Sequence, residues 1–467
     1  RREPEDAFHL LRRHFGAYLG ALRSSNADAH LFYDSRYDLR RVPCKDSSPL
    51  GAPHCKAAEP LNEQRVLDRL LSVHRELSSR GIPLDGLLLD DGWDSDDGAE
   101  LWQAHPENFP LGLAPLCASA TARGVALGVW LSPWGGFGES GSRRLQLGAK
   151  LGLEISDDLH VFRLAAPRYG AVFRNVTREL ALRVGARFFR LDGFGEGLDA
   201  SGARKREMAE DVDRLLALVA EVRQDVKGAE PGAGKLWFTA STGSWPSPFW
   251  LTSVNSVWRG GPDLGRRGEG SVRQQWITFR DAMVYSQVVQ RAPLFPLSGL
   301  SLGGVVWSSA EEPGAYLASF HLEDLKSEAR SFFLSGSTLQ ELLIMPSIMN
   351  SSHWDAIASA ANVSRRYADV LRDAHWAGGN PAAGEPYGYA AYGCDPCRGV
   401  LFWRNPRALG QNVSFTLRSA LGIPKAWTGG SADGRWQVLP LWQGPAPERA
   451  PSHPGAESAA EDGAGEA

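Results

Sequence analysis

Gly81-Ile82-Pro83-Leu84-Asp85-Gly86-Leu87-Leu88-Leu89-Asp90-Asp91-Gly92-Trp93 and, further along, Gly185-Ala186-Arg187-Phe188-Phe189-Arg190-Leu191-Asp192-Gly193 follow one grammar. In each, a glycine ends a helical pattern, a short apolar run follows, and a carboxylate closes it. Ahead of the first, Val66, Leu67, Leu70, Leu71 and Leu77 make a helical stripe. Ahead of the second, Phe173, Val176, Leu180 and Val184 fall at i, i+3, i+7 and i+11. The alternation recurs with a helix over 117–123 before a strand over 125–131. It recurs again where Val212, Leu215, Leu216, Val219, Val222 and Val226 stop at Gly228 before a strand over 236–240. Helix-period stripes feeding β-type runs predict parallel β/α architecture. Further strands over 31–34, 253–258, 294–297 and 339–345 bring the count to about eight, the number of a TIM (β/α)8 barrel, here spanning 28–380.

The texture changes outside that span. Residues 1–27 read as an N-terminal extension, opening Arg1-Arg2 without a methionine, so any targeting segment is expected to have been removed or never included. Over 385–443, short runs at 387–392, 399–404, 413–417 and 436–439 lie between Gly, Pro and Asn turns and predict a small antiparallel β-sandwich. From 444 to 467, 20 of 24 residues are Ala, Gly, Pro, Glu or Asp, too little apolar surface to offset ordering entropy, so a disordered tail is expected.

Composition excludes several classes. Hydrophobic residues are 43% and charged ones 22%, a globular balance. Lys+Arg 50 against Asp+Glu 54 gives a net charge of −4, without the basic excess of a nucleic-acid binder. No apolar run approaches the ~18 residues of a membrane span. Five cysteines are too few for a disulfide scaffold. Cys44 and Cys55 could close a polar loop in an oxidising compartment. Cys394-Asp395-Pro396-Cys397 reads as a local disulfide or two free thiols, since no second half of a zinc site follows. Sequons at Asn175, Asn350, Asn362 and Asn412 lean toward a secreted or organelle-lumen glycoprotein. The 16 Trp suit either a large core or a sugar cleft, where indole faces cover pyranose C–H groups.

Chemistry in such a barrel sits where strands run into βα loops. Those ends read Leu89-Asp90-Asp91-Gly92-Trp93, Trp130-Leu131-Ser132-Pro133-Trp134, Arg190-Leu191-Asp192-Gly193 and Trp258-Arg259-Gly260-Gly261-Pro262-Asp263. Carboxylates, arginines and indoles thus converge on one rim. Carboxylates accept from sugar hydroxyl pairs, and a carboxylate pair supplies the nucleophile and proton donor of glycoside hydrolysis. H-E-x-x-H, Walker and G-x-S-x-G motifs are missing, and the 11 His show no metal-ligand spacing. Taken singly, each piece has a plainer reading as a turn, a helix cap or a solvated loop.

Taken in order, they resemble the α-galactosidase clan of glycoside hydrolases, families 27 and 36. Asp90-Asp91-Gly92-Trp93 is similar to the clan's Asp-Asp-(Gly/Cys)-Trp signature, Phe109-Pro110-Leu111-Gly112 to its following loop, and Arg190-Leu191-Asp192 to its Lys-x-Asp. Trp258-Arg259-Gly260-Gly261-Pro262-Asp263 resembles the family 27 acid/base segment. Arg190 in place of Lys, and a first strand Phe32-Tyr33-Asp34-Ser35-Arg36-Tyr37 without Trp, mark a divergent branch. The resemblance implies a retaining exo-α-galactosidase with Asp192 as nucleophile and Asp263 as acid/base. Asp90, Asp91, Arg190 and Arg259 would bind a carbohydrate substrate between walls of Trp93, Trp130 and Trp134, with no cofactor and no metal. The same chemistry admits an α-N-acetylgalactosaminidase or a raffinose-synthase-like galactosyl transferase. A non-catalytic carbohydrate-binding barrel is the competing class, against which stands the presence of both Asp192 and Asp263.

Overall fold

Parallel strands β1 (His30–Asp34), β2 (Gly86–Leu89), β3 (Ala126–Leu131), β4 (Phe188–Leu191), β5 (Trp237–Ala240) and β6 (Ser256–Trp258) pair in chain order, each with the next. The seventh strand, β7, comes in two pieces: Leu300–Ser301 pairs with β6, and Val305–Trp307 pairs with β8 (Leu339–Ile344). β8 pairs in turn with β1, so the sheet returns on itself through β7 as a TIM-type barrel. This computed structural model describes residues 4–23, 28–40, 59–96, 98–157, 160–193, 202–229, 235–308, 321–394, 397–424 and 436–442. The Cys44–Cys55 loop, the glycine-rich segment 194–197 and the expected tail lie outside those residues.

The strand expected at 294–297 is displaced. Pro296 deprives that stretch of an amide donor, residues Leu297–Gly299 turn as a short 3-10 helix, and β7 begins at Leu300. The helical stripes form where their period places them. Helices α2 (Glu63–Ser78), α3 (Ala114–Thr121), α4 (Gly138–Lys150), α5 (Pro167–Glu179), α6 (Gly202–Ala229), α7 (Val272–Val284), α8 (Leu322–Leu334) and α9 (Ser351–Arg366) connect the strands. In α2 the Asn62 side chain caps the Arg65 amide at 3.0 Å, and Val66, Leu70, Val73 and Leu77 are buried. None of the described helices is long and apolar enough to cross a membrane.

At the N-terminus, helix α1 (Pro4–Leu22) is tied down by Arg12, whose guanidinium forks onto Asp373 at 2.5 and 3.1 Å. At the other end, β9 (His375–Gly378), β10 (Tyr387–Cys394) and β11 (Cys397–Arg404) make a three-stranded antiparallel sheet, with Cys394 bonded to Cys397 across the last hairpin. The strand-like runs at 413–417 and 436–439 do not join it. Thr416 accepts from the Ser419 amide and caps a short helix, Leu417–Ala420, and 436–439 carry no strand pairing.

This sheet docks on α7 through a buried polar knot. The Tyr387 and Tyr389 hydroxyls donate to Asp281 at 2.9 and 3.0 Å, and Arg280 Nε donates to the same carboxylate at 3.0 Å. Asp281→Ala takes this acceptor from one buried guanidinium and three hydroxyls, those of Tyr387, Tyr389 and Ser331. It should cost about 3–5 kcal/mol of stability, readable as a lowered midpoint in denaturant unfolding. A midpoint equal to wild type would mean the knot contributes nothing.

Candidate active site

Side chains alternate along a strand, so the barrel interior is a stack of layers two residues apart. The layer toward the N-terminal ends of the strands is apolar: Phe32, Leu88, Phe188, Trp237 and Leu339 form one cluster. On β3 the corresponding position is Gly128, where a Cβ would stand 2.5 Å from the Phe188 ring, so the aromatic plug leaves no room for a larger residue. Two residues onward the same strands present Asp34, Asp90, Trp130, Arg190, Thr239 and Glu341, and two more bring Arg36, Ser132, Asp192 and Ser241. An apolar floor thus carries a polar layer at the C-terminal rim.

Arg190 is the hub of that layer. Its Nη1 donates to Asp34 at 2.7 Å and to Asp90 at 3.1 Å, while its Nη2 pairs with Glu341. Glu341 also accepts from the Ser301 hydroxyl at 3.0 Å. Asp34 takes the Arg36 amide at 2.9 Å and so shapes the turn that aims Arg36, whose guanidinium reaches Asp263 at 2.5 Å. Asp34, Arg36 and Glu341 are site members that motif reading misses. Burial, and then the charge of Asp34, push the Asp90 carboxyl up to about 7 against the opposing pull of Arg36 and Arg190. A carboxyl raised in the folded state favours folding below its ordinary value, and that contribution is lost as the pH rises through about 7.

Asp192 ends β4 and is held by three donors. Trp130 Nε1 donates to Oδ2 at 2.9 Å; the Gly193 and Thr242 amides donate to Oδ1 at 2.8 and 2.9 Å. Of a carboxylate's roughly four lone-pair sites, the one left open is on Oδ2. Gly193 sits at φ +85°, and a Cβ there would stand 3.0 Å from Ser132 Oγ, so the turn that brings its amide onto Asp192 calls for glycine. Asp91 points away from Arg190 and onto Arg144 of α4 at 2.6 Å. Burial raises its carboxyl as well, with Arg144 opposing.

Three expected contacts take other roles. Trp93 is fully buried behind Trp130, giving its indole N–H to the Trp130 carbonyl at 2.8 Å. Trp134 spends its N–H on Asp211 of α6 at 3.1 Å. Neither forms an open wall; of the three indoles expected there, Trp130 is the one that touches Asp192. Arg259 is 0% exposed and donates to the carbonyls of Gly260, Leu302, Pro262 and Asp263, so it staples the loop that carries Asp263 instead of facing a ligand. Burial brings its guanidinium down to about 9. Arg36, Tyr37, Arg190, Trp258, Asp263 and Glu341 border a cleft of about 20 Å³, room for about one water. Among the described residues, no group of three His, Cys, Asp or Glu is arranged to hold a metal ion.

A closed parallel barrel with a carboxylate-rich, arginine-centred rim is the class of architecture these elements define. Its fold is that of solved family 36 α-galactosidases. The α-galactosidase of Geobacillus stearothermophilus in complex with 1-deoxygalactonojirimycin superposes with a TM-score of 0.57 at 11% identity, over 85% of this chain and 50% of that one. A second α-galactosidase of that organism gives 0.55 at 14%, over 84% and 50%. The α-galactosidase of Lactobacillus brevis gives 0.55 at 13%, over 83% and 48%. The chain spans about half the length of these structures. The sequence matches no known family model and no curated protein. The resemblance to the α-galactosidase clan therefore holds at the level of the fold.

Proposed function

We propose that this chain is a retaining, exo-acting glycoside hydrolase of the α-galactosidase type, cleaving a terminal α-linked galactose-type sugar. The observation that carries this reading is Asp192: a carboxylate just past the C-terminal end of a barrel strand, fixed by an indole and two amides that leave one of its lone-pair sites without a donor. That is the arrangement a nucleophile needs. Asp192 attacks the anomeric carbon as the bond to the leaving oxygen breaks and Asp263 delivers its proton there. Asp263 then takes a proton from water, whose oxygen displaces Asp192 from the β-linked glycosyl-enzyme. Asp34, Asp90 and Glu341 would accept sugar hydroxyls around Arg190. A pyranose needs more room than the one water this cleft admits, and on this reading Arg36 swings off Asp263 as the sugar enters. The same movement frees Asp263 for the leaving oxygen.

Incubation with nitrophenyl α-galactoside and with its N-acetyl analogue tests the reading. Release of nitrophenol from the galactoside, with the α-anomer as first product, is expected; release from neither substrate would sink it. A pH prediction follows from Asp90, whose ionised form is the one that accepts hydroxyl pairs. The kcat/KM profile should climb to about pH 7 and fall roughly tenfold per unit below it. Asp90→Asn should flatten that limb at a lower plateau, and a wild-type profile already flat between pH 5 and 7 would contradict the assignment.

A further inference from the structure

Arg144 lies on α4, fully buried and away from the cleft, yet its contacts converge on the site. Its Nε and Nη2 fork onto the two Asp94 oxygens at 2.9 and 2.7 Å, Nη2 also reaches Asp91 at 2.6 Å, and Nη1 donates to the Gly135 carbonyl at 3.2 Å. The guanidinium carbon stands 4.5 Å from the Trp102 ring centre and 5.3 Å from that of Trp130, the indole whose N–H holds Asp192. Trp102 reaches that position on a backbone at φ +59°, a left-handed conformation that a bulky side chain rarely takes. We propose that Arg144 is a positioning residue for the reaction proposed above: one buried guanidinium fixes the rim carboxylate Asp91 and the indole partner of the nucleophile in a single frame.

A structural ion pair would need only Asp94. Here the same fork extends to Asp91, which is 30% exposed at the rim, and its π-system lies against the Trp102 and Trp130 rings. These demands together require a planar group with several directed donors; a lysine ammonium can meet one carboxylate and stacks poorly. Loosening the frame therefore misplaces a ligand contact and the nucleophile at once. A shift of about 1 Å in such a frame costs on the order of 10²-fold in rate.

Arg144→Lys tests this, measured beside Arg280→Lys, which changes an equally buried guanidinium in the knot under the C-terminal sheet. Arg144→Lys should lower kcat/KM for nitrophenyl α-galactoside about 10²-fold, divided between a raised KM through Asp91 and a lowered kcat through Trp130 and Asp192. The Kd of a galactose-configured iminosugar should rise with KM. Arg280→Lys should lose comparable thermal stability and keep kcat/KM near wild type. If Arg144→Lys fails to fold, Asp94→Asn keeps the guanidinium but loosens its fork, and should show the same split at smaller size. Kinetics of Arg144→Lys, or of Asp94→Asn in that case, no worse than those of Arg280→Lys would overturn the proposal. A wild-type chain inactive on every galactoside would overturn the functional reading, and this one with it.

Discussion

Asp192→Asn should cut turnover of nitrophenyl α-galactoside by about 10⁴-fold or more, a loss of about 5 kcal/mol in transition-state stabilisation. The amide keeps the shape of the carboxylate but supplies no nucleophilic oxygen. Its environment also dictates how it will sit. The Gly193 and Thr242 amides both donate to Oδ1, so the Asn carbonyl must face them, and its NH₂ then meets the donating N–H of Trp130. Two donors face to face cost about 1–3 kcal/mol of stability, a visible but tolerable loss. The variant should therefore fold, bind a galactose-configured iminosugar, and turn over almost nothing. More than a few per cent of residual activity would remove Asp192 from the nucleophile's place.

The legible part of this fold follows from period. The stripe Val66, Leu70, Leu77 satisfies the helical repeat, and the run Leu87-Leu88-Leu89 between Gly86 and Asp90 reads as a buried strand by its shortness and its flanking residues, so the β/α alternation can be read from the amino-acid sequence. The polar layer is written in the same code: Phe32-x-Asp34-x-Arg36, Leu88-x-Asp90, Phe188-x-Arg190-x-Asp192 and Leu339-x-Glu341 are one pattern on four strands. Motif matching picks out Asp90, Arg190 and Asp192 and passes over Asp34, Arg36 and Glu341. The alternation contains them all, since a carboxylate two residues beyond an inward aromatic or leucine must also face inward. Trp93, Trp134 and Arg259 go the other way because a rim position does not say where an N–H will find its acceptor. Theirs lie in the Trp130 carbonyl, in Asp211 and in four loop carbonyls, and a backbone carbonyl leaves no mark in residue type even where, as with Gly260, Pro262 and Asp263, it belongs to the motif itself. Arg144 carries no sequence signal, since its partners Asp91 and Asp94 are brought to it by packing of α4 against the loop after β2. The break in β7 is equally hidden: two short pieces pair with different neighbours, and neither is long enough to show a period.

Asp263→Ala should separate the two steps of the reaction. General acid assistance contributes about 10²–10⁴-fold, and it matters in proportion to how poor the leaving group is. Natural α-galactosides should therefore lose most of that factor, while a nitrophenyl leaving group, needing little protonation, should leave the first step nearly intact. Arg36 loses the carboxylate it meets at 2.5 Å, so the rim is also easier to open, which works against any loss in substrate entry. The second step then limits, because no base remains to activate water. Azide needs no base and should restore turnover. The stereochemistry of its product decides the assignment. An α-linked substrate attacked by Asp192 gives a β-linked intermediate, and azide entering from the vacated leaving-group side gives the α-galactosyl azide. A variant lacking the nucleophile, Asp192→Gly, should instead yield the β-azide by direct displacement of the leaving group. Recovery of β-azide from the Asp263→Ala enzyme would mean that the two carboxylates have exchanged roles.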